Sequence, residues 1–106
     1  MAPRPLLFGY QRVRLMTPVA DVVKARRALI EFASREGFAL GEIFVDADEN
    51  RPYAALNALI ATARRREVNV ILIPSLDHLG HDPSAQGAMR RRLAEEVGLR
   101  VVVLAW

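Results

Sequence analysis

The run VNVILIP, Val68 to Pro74, constrains the fold more than any other stretch of this chain. It is an almost continuous series of β-branched and aliphatic residues, without the apolar–polar alternation of a strand that faces water on one side. A strand built from it needs cover on both faces, which is the situation inside a parallel sheet sandwiched between helices.

The flanking sequence supplies those helices and three more strands. LLFGYQRV (Leu6–Val13) reads as a short buried strand, and GEIFVD (Gly41–Asp46) as a second. Between them, Pro18 to Glu36 has helical spacing, with Val19, Val22, Val23, Leu29, Phe32 and Ala33 defining the inner side and Gly37 as the stop. After the loop ADENR, Pro52 is placed in the first turn of a helix that runs to about Arg66 and buries Leu56, Leu59, Ile60 and Ala63. VNVILIP is followed by the loop SLDHLGHD, in which Asp82 and Pro83 form an N-cap and first-turn pair. The helix they open is expected to bury Ala85, Met89, Leu93 and Val97 and to end at Gly98, and LRVVVLAW is a last strand reaching Trp106. The order β-α-β-α-β-α-β, joined by right-handed crossovers, predicts an α/β fold. It has three layers, a mostly parallel four-stranded sheet with helices on both faces, in one domain over residues 1–106.

Composition narrows the chemistry. With 106 residues, 52% of them apolar, the chain is long enough to close one core. It has no cysteine, which removes disulfides, thiolate metal sites and a cysteine nucleophile together. No apolar run approaches the ~18 residues of a membrane span, and the start lacks a signal-peptide core, so a soluble cytoplasmic protein without membrane contact is expected. The net charge is +3, carried mostly by arginine, with Lys24 the single lysine. That excess permits contact with phosphate but is modest beside a dense nucleic-acid-binding patch.

In open parallel sheets, ligands collect beyond the C-terminal ends of the strands. Three loops meet there: QRVRLMT, VDADENR and SLDHLGHD. They hold Arg12, Arg14, Thr17, Asp46, Asp48, Glu49, Arg51, Asp77, His78, His81 and Asp82. His78 and His81, at i and i+3 with aspartates nearby, are the only candidate metal ligands of a familiar kind, with Asp46 or Asp77 as a third; no cofactor motif accompanies them. Ser75 and Thr17 are the rim hydroxyls, and neither lies in an activating motif such as GxSxG. The triplets Arg64–Arg66 and Arg90–Arg92 read as solvated helix faces, with a phosphate-contacting patch as the alternative.

Taken together the loops resemble those of serine recombinases of the resolvase/invertase family. FGYQRVR is similar to the family's G-Y-x-R-V-S entry strand, IFVDADENRPYAAL to its second strand and following loop, and VNVILIPSLDHLGHD to its third strand and L-D-R-L-G-R-D loop. The likeness runs from about Leu6 to Ala105. It implies a resolvase-like catalytic-type domain, whose family reaction is attack of a serine hydroxyl on a DNA phosphodiester while arginines stabilise the charge on phosphorus. Transferred residue by residue, the resemblance puts Arg12 on the family's first arginine, Arg51 on the arginine of the second loop and Asp77 on the aspartate of the third. The nucleophilic serine falls on Arg14, whose guanidinium cannot be deprotonated to attack phosphorus. The last two arginines fall on His78 and His81, and an imidazole lacks the fixed charge of a guanidinium and offers one donor per ring nitrogen at best. Thr17 substitutes for the missing hydroxyl only if the loop shifts register by three residues.

The resemblance therefore implies a degenerate site without intact catalytic residues. Arg12, Arg14 and Arg51 are left as DNA- or phosphate-binding groups, and no metal or other cofactor is expected. No C-terminal DNA-binding domain is expected within these residues, so contact with DNA should be weak and non-specific. Two other functions stay open: a hydrolytic or metal-binding phosphoester enzyme using Asp77, His78 and His81, and a weak non-specific nucleic-acid binder. A binding or regulatory role implies pairing either with itself as a homodimer or with an active recombinase.

Overall fold

In the computed structural model, residues 3–104 are described. Four strands, β1 (Leu6–Arg12), β2 (Ala39–Asp46), β3 (Val70–Ile73) and β4 (Arg100–Val103), alternate with three helices, α1 (Val19–Arg35), α2 (Ala54–Arg66) and α3 (Pro83–Val97). A single 3-10 turn, Leu76–His78, follows β3. The strand order is β2-β1-β3-β4 and every pairing is parallel. The last residues of the expected final strand, Ala105 and Trp106, lie outside the described residues.

The continuous apolar runs become the inner strands. β1 is buried from Leu7 to Gln11, and its period of two sends alternate side chains to opposite layers. Phe8 and Tyr10 join Leu56, Leu59, Ile60, Met89 and Leu93 under α2 and α3. Leu7 and Leu72 join Leu29 and Ala33 under α1. One helix on one face and two on the other is the layering that right-handed crossovers dictate for this strand order. The four residues expected to seat α2 are all buried.

Three expectations are corrected. α1 seats through Ala25, Leu29 and Ala33, whereas Val19 and Val23 face solvent. The small alanines let the helix approach the sheet closely, so the i, i+4 row that contains them becomes the inner one. Pro52 does not open α2: the helix starts at Ala54, and its first amides are capped from β2 by the Asp46 side chain. In α3, Met89 and Leu93 are buried and Val97 is half-buried, but Ala85 is exposed in the first turn. The start of that helix is as expected, with Asp82 Oδ1 accepting from the Ala85 amide at 2.8 Å and Pro83 in the first turn. Gly37 (φ 79°) and Gly98 (φ 64°) follow α1 and α3 in the left-handed conformation that terminates helices.

No helix among the described residues is long and apolar enough to cross a membrane.

Candidate functional site

The chain leaves β1 for one neighbour and later returns to its other side as β3, so the switch point of the sheet lies between the ends of β1 and β3. A cavity of 390 Å³ opens there, lined by residues of the first and third loops and of α1, among them Arg12, Arg14, Thr17, Ser75, Asp77 and His78. Six of the residues singled out by sequence are thus brought together. Arg51 and His81 are exposed and do not line it.

Arg12 shares the face of Phe8 and Tyr10, so its side chain leans toward the start of α2. Its guanidinium lies 4.4 Å from the centre of the Tyr53 ring, donates to the Pro52 carbonyl, and reaches the Tyr10 hydroxyl at 3.4 Å. Arg12 Nε is buried without a hydrogen-bond partner. Beneath it, Asp46 is almost fully buried, accepting from Tyr10 Oη at 2.6 Å and from the Ala55 and Leu56 amides at 2.7 and 3.1 Å. Burial and the Asp46 hydrogen bond push the Tyr10 hydroxyl far above its ordinary range, so it stays protonated and donates. Asp46 is committed to this structural network, leaving little of it for a hydrolytic role.

His78 replaces a strand. β3 ends at Ile73, and the Arg12 amide is met by His78 Nδ1 at 2.8 Å. That bond requires Nδ1 to be unprotonated, which places the imidazole hydrogen on Nε2. Burial lowers the His78 pKa below its usual value; Asp77 opposes this, and Arg14 and Arg12 reinforce it. At pH 7 the ring is neutral, with a single donor left.

Arg14 stands in the first turn after β1 and crosses the cleft. Its Nη2 donates to the Asp77 carbonyl at 2.7 Å, and Nη1 lies 3.7 Å from the Asp77 carboxylate. Asp77 also accepts from the Ser75 hydroxyl. Burial alone would raise the Asp77 carboxyl, but the Ser75 hydrogen bond and the neighbouring His78 and Arg14 outweigh it and hold the pKa below the ordinary value.

Two hydroxyls do border the cavity. Thr17 Oγ1 accepts from the Arg14 amide at 3.1 Å, and its neighbours in that turn include no general base bonded to it. Ser75 is bonded to a carboxylate, but a carboxylate held below its normal pKa is a weak proton acceptor. Among the described residues, no group of three or more His, Cys, Asp or Glu side chains is placed to hold a metal. The arginine triplets lie elsewhere: Arg64 donates to the Glu96 carbonyl at 3.0 Å and Arg92 to Asn57 Oδ1 at 3.3 Å, which ties α2 to α3, while Arg92 also pairs with Glu96 within α3.

Sequence reasoning passed over Tyr10, Gln11, Tyr53 and Lys24. Gln11 is buried, donates to the Val22 carbonyl at 2.9 Å and lines the cavity, as does Lys24. A polar pair, Tyr10-Gln11, inside an otherwise apolar strand was the available signal, because buried polar groups need partners.

No protein-family model matches the chain, and no curated protein matches it in sequence. Solved structures match closely in shape. The N-terminal catalytic domain of TP901-1 integrase superposes with a TM-score of 0.74 at 16% identity, covering 93% of this chain and 76% of that one. The C-terminal catalytic domain of ISC1926 TnpA, an IS607-like serine recombinase, gives 0.75 at 21% identity, over 93% and 70% of the two chains. The chain has the α/β fold of the serine recombinase catalytic domain, as the motifs of its three loops implied.

Proposed function

We propose that this domain is a recombinase-type scaffold that has lost strand transfer and serves as a binding or regulatory module in DNA recombination. The observation that carries this reading is Arg14. A guanidinium, not a hydroxyl, extends from the end of β1 into the cleft and is tied to Asp77 on the opposite loop. It cannot act as a nucleophile, and a re-registered Thr17 would have to give up the hydrogen bond by which it closes the turn with the Arg14 amide. Two of the positions that the family pattern gives to arginine carry imidazoles, one of them neutral and bound to the Arg12 amide.

What the cleft retains is suited to weak anion contact. Arg14 and Lys24 border it, and the neutral His78 has one donor remaining. DNA is the partner of this chemistry, engaged through phosphate and without base readout; Arg12 and Arg51 extend the same rim. A second copy of the chain or an active recombinase is the protein partner.

The test is incubation with supercoiled DNA followed by denaturing electrophoresis. No covalent protein–DNA adduct is expected. An adduct that disappears in Thr17→Ala or Ser75→Ala overturns the reading. Reversible binding, measured by fluorescence anisotropy on a labelled duplex, should be independent of sequence and fall steeply with salt; absence of binding at low ionic strength removes the DNA partner.

A further inference from the structure

Among the described residues, six large apolar side chains are conspicuously exposed: Leu15 (85%), Met16 (86%), Val19 (78%), Val23, Ile30 and Val45. They do not scatter. Leu15 and Met16 form the tip of the loop entering α1. Val19, Val23 and Ile30 run down one flank of α1 at helical spacing, and Val45 is on β2, the edge strand beside that flank. α1 runs antiparallel to the strands, so Val19 and Val23 lie near the Val45 end of β2 and Ile30 near its beginning. Between helix and strand is a groove of 320 Å³ lined by Arg26, Ile30, Leu40, Gly41, Glu42 and Ile43. Isolated exposed apolar residues are ordinary, but a contiguous strip with a groove beneath it marks an interaction surface.

The charges select the occupant. Arg26 stands on the helix wall and Glu42 on the strand wall, both exposed, and among the described residues they form no ion pair with each other. A partner of uniform charge would be attracted by one wall and repelled by the other. Direct antiparallel contact of α1 with α1 would press Arg26 and Arg27 against their own copies. A two-fold axis along the groove avoids both problems. It lays α1 of each copy over β2 of the other, so Arg26 meets Glu42 of the second copy twice while the valines and Ile30 bury one another. Sheet extension through the β2 edge is disfavoured, because β2 carries an extra residue between the Leu7–Leu40 and Gly9–Ile43 pairs, a bulge that blunts the edge.

We infer that the α1–β2 groove is a self-association surface whose occupant is a second copy of this chain, held by apolar contact and by two reciprocal Arg26–Glu42 pairs. This surface lies outside the cleft, so the inference stands independently of the loss of strand transfer.

Sedimentation velocity over a concentration series, on the intact chain without DNA, tests it. A reversible monomer–dimer equilibrium is expected. Ile30→Asp should abolish the dimer, and Arg26→Glu or Glu42→Arg should each raise the dissociation constant about tenfold or more. The R26E/E42R pair should return it to within about threefold of the parent. Circular dichroism confirms that these surface variants are folded. A chain that stays monomeric throughout, a dimer indifferent to these substitutions, or a charge-swapped pair that fails to recover association each overturns the proposal.

Discussion

Replacing Asp46 with alanine tests whether the polar network under the cleft holds the second loop in place. The side chain is 4% exposed and accepts three hydrogen bonds, from Tyr10 Oη and the Ala55 and Leu56 amides. Loss of the helix cap costs about 1 kcal/mol. Leaving the buried Tyr10 hydroxyl without its acceptor adds roughly 1–3 kcal/mol. Asp46→Ala should therefore destabilise the fold by about 3 kcal/mol, a large part of the 5–15 kcal/mol typical of a domain. In a chain of this size that lowers the melting temperature by on the order of 12 °C.

The two terms separate in a double-mutant cycle read by urea denaturation. Tyr10→Phe alone should cost about 1 kcal/mol. In the Tyr10→Phe background no hydroxyl is stranded, so Asp46→Ala should cost only the cap, leaving a coupling of roughly 1–2 kcal/mol. Additivity of the two substitutions, or a loss below about 1 kcal/mol for Asp46→Ala, would refute the assignment of Asp46 as the keystone of this network.

The remaining expectations concern the cleft and the third loop. The folded-state pKa of His78 is depressed, so as pH falls the unfolded chain takes up the proton first; stability is then full above the unfolded value near ~6.5 and declines below it. His78→Asn, which keeps an acceptor for the Arg12 amide, should flatten the denaturation midpoint over that acidic window; an unchanged slope defeats the argument. Arg14→Ser introduces a hydroxyl without the guanidiniums, so adding His78→Arg and His81→Arg should raise any adduct formation by ~10²-fold or more, and equal yields would show that those groups are not limiting. A Cβ at Gly80 would sit 2.8 Å from Ala85 Cβ and 3.2 Å from the backbone of Ala85 and Gln86. Gly80→Ala should accordingly cost about 1–3 kcal/mol, measured by thermal denaturation, and a neutral effect would mean that the loop yields.

The element order and the parallel sheet were legible because they follow from local pattern. Continuous apolar runs located the four strands and helical spacing the three helices, and the Asp82-Pro83 pair and Gly98 placed both ends of α3. What failed depends on distance in sequence. Val19 and Val23 are larger and more apolar than Ala25 and Ala33, and only the closeness of the sheet puts the row of Ala25, Leu29 and Ala33 inside. Pro52 looked like a first-turn residue because the true cap, Asp46, is supplied from the end of a strand. In the site, the loops and their residue types could be read, but the partners could not. The Arg12–His78 and Arg14–Asp77 contacts span 66 and 63 residues, and the Arg12–Tyr53 stack requires α2 to be in position first.

Positions 14 and 78 are also mutually dependent. Arg14 brings a permanent charge to a place already beside Arg12, and both cations lower the pKa of His78. An arginine at position 78 would add a third guanidinium to that field, whereas imidazole avoids the repulsion by staying neutral and using Nδ1 to accept the Arg12 amide. The side chain at 78 is thus physically coupled to the one at 14. A second cycle makes this measurable: His78→Arg should destabilise the parent chain more than it destabilises Arg14→Ser, by an increment between about 1 and 4 kcal/mol for like charges a few ångströms apart. Loss of the Nδ1 acceptor is common to both backgrounds and cancels. An equal cost in the two, measured by urea denaturation at neutral pH, would mean that the cleft tolerates the third cation and that positions 14 and 78 are uncoupled.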